Sequence, residues 1–176
     1  MQLKNNLYSQ RLTVRDHRAS DLPYVTAMWF DEENGKYMSD PTKEYVDEKY
    51  QKALDELEDN SEGYYLTVLL SGSEKIIGTC CIFPGDKKDC FDIGYCIHKN
   101  YWKQGYGTEL IHLIIDWVYE HGGIEITAEV AKENIASNTL LRKNGFEVIR
   151  ETSFKKYNMG ITFDSYIYSL KLNTPN

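Results

Sequence analysis

Residues 90–120 read CFDIGYCIHKNYWKQGYGTELIHLIIDWVYE, and their pattern changes character twice. Cys90–His98 has the short, apolar and aromatic make-up of a strand. Tyr101–Thr108 (YWKQGYGT) is a turn carrying two glycines, Gly105 and Gly107. Leu110, Ile111, Ile114, Trp117 and Val118 then recur at helical spacing up to Glu120, and Gly122–Gly123 closes the helix. A strand feeding a Gly-rich turn and then a helix leaves main-chain N–H groups aimed outward at the helix N-terminus. Such a cup suits a phosphate, through its amides and the helix dipole. Glycines there permit close backbone approach and left-handed φ angles. Lys99 and Lys103 stand near enough in sequence to add charge. The plainer alternative is a loop that only starts a helix. The run is not a P-loop, since G-x-x-x-x-G-K-[ST] is absent. Nor is it a dinucleotide fingerprint, since no third glycine follows at the right spacing and hairpins precede it.

On the N-terminal side, Tyr8–Arg15 alternates as a first strand, and Ser20–Asp21 precedes an apolar helix, Leu22–Phe30, with Pro23 tolerated near its start. Asp31–Asp40 reads as loop. Val46, Tyr50, Ala53, Leu54 and Leu57 form a helical stripe that predicts a helix over Pro41–Glu58. Gly63–Leu70 and Lys75–Phe83 flank Ser71–Glu74 as a hairpin, and Pro84–Asp89 turns the chain into Cys90–His98. On the C-terminal side, Ile124–Val130 alternates as a half-buried strand. Asn134 is a candidate N-cap for a short helix through Lys143, ended by Asn144–Gly145. Phe146–Glu151 and Ser165–Leu172 read as two closing strands. The order β-α-α-β-β-β-α-β-α-β-β, with hairpins beside strand–helix–strand crossovers, predicts an α+β (mixed α/β) fold. No repeat or linker interrupts it, so one domain is expected over residues 1–176, with its core at about 8–172.

At 176 residues the chain can bury a core unaided; chains of this size bury about 68–70% of their unfolded surface. Its 20 basic and 27 acidic side chains give a net charge of −7, which argues against a nucleic-acid partner. The acids concentrate between Asp40 and Glu62, where nine stand against three lysines. That segment is either the solvated face of a helix or a field attracting cationic partners. Cys80, Cys81, Cys90 and Cys96 form no CxxC pair and read as free thiols of a cytoplasmic protein. The first residues lack an apolar signal core, and no apolar run approaches membrane-spanning length, so no membrane partner is expected. His17, His98, His112 and His121 show no paired spacing, and no metal site is expected.

The run from Asp92 to Leu110 (DIGYCIHKNYWKQGYGTEL) resembles the acetyl-CoA-binding core of the GNAT N-acetyltransferase superfamily. The run from Glu133 to Phe146 (ENIASNTLLRKNGF) resembles that family's next motif. Together they are most similar to the branch containing ribosomal-protein-alanine N-acetyltransferases. The resemblance implies a mostly antiparallel twisted sheet of about seven strands flanked by about four helices. It implies acetyl-CoA as co-substrate and an amine acceptor, either a protein N-terminus or a small amine such as a polyamine, amino acid or antibiotic. A non-catalytic CoA-binding module is the alternative of another class, and a homodimer is compatible with the family. The pyrophosphate would take the amides of Lys103, Gln104, Gly105, Tyr106, Gly107 and Thr108. The pantetheine arm would lie along Tyr95, Cys96 and Ile97, with Asn134 and Asn138 as further contacts. One departure is Trp102, where the family pattern has Gln or Arg; members of the branch resembled commonly carry Trp there, so it does not count against binding.

Acetyl transfer to an amine needs a polarised carbonyl, an unprotonated amine, a proton for the leaving thiolate, and alignment. By resemblance the polarising N–H comes from Cys96, Ile97 or His98. Many members protonate the thiolate with a Tyr, but Leu141 occupies that position here and cannot donate. Ser137 of the Asn-x-x-Ser run takes that role in the branch resembled; its plainer reading is a helix-capping contact. Asp92, two residues before Gly94, is the candidate general base, with Glu32 and Glu33 as substitutes.

Overall fold

The structure, a computed structural model, describes residues 1–172. Period-2 alternation builds one eight-stranded sheet from β1 (Leu7–Tyr8), β2 (Leu12–Asp16), β3 (Tyr64–Leu70), β4 (Ile76–Pro84), β5 (Cys90–Ile97), β6 (Glu125–Ala131), β7 (Glu147–Lys155) and β8 (Thr162–Lys171). The spatial order is β1-β2-β3-β4-β5-β6-β8-β7. Every neighbouring pair is antiparallel except β5 and β6, which run parallel across the α3 crossover. Four α-helices accompany the sheet: α1 (Leu22–Trp29), α2 (Glu48–Asp55), α3 (Tyr106–Glu120) and α4 (Ile135–Lys143). This is the mixed α/β architecture expected from the order of elements.

Register sorts the side chains onto two faces. Val14, Val68 and Ile97 lie in one cross-strand row, Leu66, Cys80 and Tyr95 in the next, and Ile82 and Ile93 in a third. These form one buried cluster with Leu110, Ile111, Ile114, Trp117 and Val118 of α3 and Leu141 of α4. Each fully buried Ile or Leu there contributes about 1.5–3 kcal/mol relative to exposure. On the opposite face Arg15 and Thr67 meet Asp21, through bonds of 2.6 and 2.9 Å from Arg15 and 2.9 Å from Thr67. There Trp29 of α1 donates its indole N–H to Thr79 at 3.0 Å.

Three elements depart from expectation. The first strand is broken into β1 and β2, because Glu109 draws the chain aside by accepting from the Ser9 hydroxyl and the Arg11 N–H. The sheet therefore has eight strands rather than seven. The Pro41–Glu58 helix shrinks to α2 behind a 3-10 turn at Lys43–Tyr45. Val46 and Asp47 are extended, and the Asp47 carboxylate caps α2 by accepting from the Tyr50 N–H at 2.8 Å. The penultimate strand runs four residues beyond Glu151, to Lys155, because β8 pairs with it along that length.

Candidate active site

The parallel pairing of β5 with β6 lasts three residues: Cys90, Phe91 and Asp92 against Glu125, Ile126 and Thr127. Beyond that the strands part, β5 staying with β4 and β6 staying with β8. A wedge-shaped gap opens inside the sheet, edged by Ile93–Ile97. The His98 N–H donates to the Ile77 carbonyl at 2.8 Å, which sets the alternation along β5. The main-chain groups of Cys96 and Gly94 consequently face β4, whereas those of Tyr95 and Ile97 face the gap. Of the three candidate polarising amides, His98 is occupied and Cys96 points away; Ile97 alone is aimed into the gap. Cys96 is thus displaced from the expected donor-contacting set, and its buried thiol accepts from the Asn34 side chain at 3.0 Å.

One end of the gap leads to the Gly-rich turn. Gly105, at φ +85°, is the residue before α3, and Lys103 is also left-handed at φ +58°. The first intrahelical bond runs from Glu109 N–H to the Gly105 carbonyl, so the amides of Tyr106, Gly107 and Thr108 have no intrahelical acceptor. The turn is clamped by Arg11, which no local pattern flagged. Its guanidinium donates to the Gln104 carbonyl at 2.9 Å and to Glu109 at 2.7 Å, and stacks 4.4 Å from the Tyr106 ring. Burial pushes the Glu109 carboxyl up, but the Ser9 and Arg11 bonds outweigh it and hold the group below the usual range. A methyl on Gly107 would lie 3.0 Å from Leu140, so this glycine also lets α3 approach α4. Lys99, expected beside the turn, is instead tied to Asp31 at 2.9 Å and Glu33 at 3.3 Å.

On the α3 side of the gap, the Ser137 hydroxyl lies 2.7 Å from the Tyr95 hydroxyl. Ser137 meets the helix cap only through its backbone, whose N–H donates to the Asn134 side-chain oxygen at 3.2 Å. The hydroxyl is therefore not the capping group. Burial pushes the Tyr95 phenol up to about 12, so it stays protonated near neutrality. Asn138 is a correction: it is buried and turned inward. Its amide donates to the Ala131 and Asn134 carbonyls at 2.9 and 2.7 Å, and its oxygen accepts from Tyr168 at 2.7 Å. Those bonds hold the β6–α4 connection and leave nothing for a ligand.

The opposite face carries carboxylates. Asp92 stands at the fork itself and accepts from the Thr127 hydroxyl at 2.8 Å. Partial desolvation raises its pKa, Glu129 and Asp86 raise it further, and Thr127 works the other way. Asp40, hydrogen-bonded by the Tyr50 hydroxyl, is likewise raised by burial. The loop carrying it is strapped to the β7–β8 connection: the buried Lys156 ammonium donates to the Gly35 and Met38 carbonyls at 2.7 and 3.1 Å. The Tyr157 N–H adds a bond to the Ser39 carbonyl at 2.7 Å. Glu33 is engaged by Lys99, and Glu32 is exposed on the same loop. Among the described residues no group of His, Cys, Asp or Glu is arranged to hold a metal, and no helix is long and apolar enough to cross a membrane.

Residues 11–147 match the model of the acetyltransferase (GNAT) domain, and the chain belongs to that family of acyltransferases. It is 26% identical over 170 residues to an uncharacterized N-acetyltransferase, p20, of Bacillus licheniformis, covering 93% of this chain and 94% of that one. In fold it is similar to a GNAT acetyltransferase from Bacillus anthracis, with TM-score 0.79, 18% identity, and coverage of 95% and 98%. It is also similar to a ribosomal-protein-S5-alanine acetyltransferase from Vibrio fischeri, with TM-score 0.73, 19% identity, and coverage of 96% and 97%.

Proposed function

We propose that this protein is an acetyl-CoA-dependent N-acetyltransferase that transfers directly to a primary amine, of the protein N-terminal kind. The observation carrying this reading is that the fork between β5 and β6 has Tyr95 and Ser137 on one face and Asp92 on the other. The free amides of Tyr106, Gly107 and Thr108 fit the pyrophosphate, and the gap edge at Tyr95 and Ile97 fits the amide-bearing pantetheine arm. Acetyl-CoA supplies an activated carbonyl and a thiolate leaving group. The Ile97 N–H polarises the carbonyl. Tyr95 donates to Ser137, freeing the Ser137 proton to stabilise the departing sulfur. Asp92 takes the proton of the incoming amine, directly or through water, and its raised pKa brings it closer to that task. Likeness to the Vibrio fischeri enzyme supports a protein N-terminus as acceptor, and the free thiols fit a cytoplasmic setting for one domain spanning residues 8–172.

The test is thiol release from acetyl-CoA in the presence of an amine panel: short peptides with free N-termini, the same peptides N-blocked, polyamines, amino acids and aminoglycosides. Release with free-N-terminal peptides but not with blocked ones supports the reading. Turnover confined to small amines would replace it with small-molecule acetylation.

A further inference from the structure

Trp102 follows the 3-10 turn at Lys99–Tyr101 and precedes the Gly-rich turn. Its side chain is far from a core position: the residue is 41% exposed. Its indole N–H nevertheless donates to the Ile97 carbonyl at 2.6 Å. That carbonyl belongs to the peptide unit whose N–H, on His98, bonds Ile77 in β4. Because the two ends of a peptide point oppositely, the Ile97 carbonyl faces the gap. The same peptide is thus pinned from both sides, by β4 and by the indole.

This changes what the strand edge offers. At Tyr95 the edge presents an N–H together with a C=O, which suits the alternating groups of an amide chain. At Ile97 the carbonyl is already taken, and only the N–H is open. An oxygen arriving there meets an N–H donor whose neighbouring carbonyl is already turned to the indole. A thioester carbonyl, which accepts and cannot donate, is the group such a rung suits.

Resting on the acyltransferase reading above, we propose that Trp102 is a positioning residue for acyl transfer. Its indole occupies the Ile97 carbonyl and fixes the peptide, so that the Ile97 N–H stands alone toward the acetyl oxygen. Trp102 acts through Ile97 and not by touching the reacting atoms.

The variants are Trp102→Phe, which keeps a ring and removes the donor, and Trp102→Gln and Trp102→Arg, which restore an N–H on a different frame. Trp102→Phe is expected to lower kcat about tenfold, a fraction of the 10²–10³-fold seen when a polarising donor is itself removed. The acetyl-CoA dissociation constant by calorimetry and the melting temperature should stay near the parent's. At least one of Gln and Arg should regain most of the lost kcat. Parental kcat in Trp102→Phe would overturn the proposal. So would equal losses in all three variants together with weakened acetyl-CoA binding, which would make the ring a packing surface for the donor. The hydrogen bond is checked apart from any activity by NMR of the parent: the Trp102 indole proton should exchange slowly with water for a side chain this exposed. Fast exchange sinks the proposal while leaving the acyltransferase reading intact; no turnover by the parent with any amine would sink that reading instead.

Discussion

The first three residues of β5 and its last five have the same neighbour on one side and opposite circumstances on the other. Cys90–Asp92 are held between β4 and β6, whereas Ile93–Ile97 keep β4 alone. The closed part forgoes nothing and does no chemistry with its main chain. The open part forgoes strand bonds worth about 0.5–1.5 kcal/mol each in net stability, and apart from the Ile97 carbonyl, which the Trp102 indole takes, leaves its gap-facing groups open. The fork also separates two kinds of side chain. Alternation sends Tyr95 toward α4 and Ser137, and Asp92 to the other face, beside Thr127. On the proposed reading, donor chemistry and acceptor chemistry are kept apart by the thickness of one strand.

If that division holds, variants on either side should fail differently. The largest effect is expected at the mouth of the donor side. Gly105→Glu forces a side chain onto a left-handed φ, brings its Cβ to 3.2 Å from the Arg11 guanidinium that clamps the turn, and adds a negative charge beside the amides proposed for the phosphates. It should weaken acetyl-CoA binding at least about 100-fold by calorimetry, or about 2.7 kcal/mol. Gly105→Asn, which tolerates that φ better, separates charge from strain and should lose far less. Equal affinity in both variants and the parent would remove the phosphate cup.

Next in size is Ser137→Ala, with an expected fall in kcat of about 10²-fold and little change in acetyl-CoA KM. Its melting temperature should hardly move, because the capping bond belongs to the Ser137 backbone. Adding Tyr95→Phe should cost less than the two single losses multiplied, since the hydroxyls act as a pair. A lowered melting point with full turnover would return Ser137 to a structural role.

The smallest effect is expected at Asp92, where Asp92→Asn should lower the neutral-pH rate about tenfold without altering donor affinity. The base works only when ionised, so the parental rate should climb with pH through the raised Asp92 pKa, above the ordinary carboxylate range. The Asn variant should lack that climb. The stability sign runs the other way. A carboxyl whose folded pKa is raised weighs against folding increasingly as pH rises from the unfolded value through the folded one. Asp92→Asn should therefore be no less stable than the parent at pH 7. A parental pH–rate profile would turn attention to Asp40, the other carboxylate on that face whose pKa is raised.

Local pattern carried most of the architecture and only part of the site. Cys90–Glu120 could be read because alternation, glycines and a helical stripe follow one another within 31 residues. Ser137 stood out only through the resemblance of the Asn-x-x-Ser run to the family's motif. Arg11, however, meets Glu109 across 98 positions and Lys156 meets Gly35 across 121, and no short-range signal connects such pairs. The same distance misplaced Lys99, whose partner Asp31 lies 68 residues earlier. Asn138 misled in the reverse sense. The family resemblance suggested a ligand contact, while the Tyr168 hydroxyl that claims it comes from β8. Asp47 broke a stripe that looked continuous, because a side chain able to cap a helix competes with continuing one.

If acetyl-CoA takes the exposed rungs of β5, as proposed, the co-substrate is a missing strand of the fold as well as a reactant. A molecule bound only by the folded chain adds RT ln(1 + [L]/Kd) to its stability, about 2.7 kcal/mol at 100 times Kd. The thermal transition should therefore climb with CoA or acetyl-CoA concentration, whichever acceptor is present. On that reading, resistance to unfolding in this protein gauges how much CoA and acetyl-CoA together surround it.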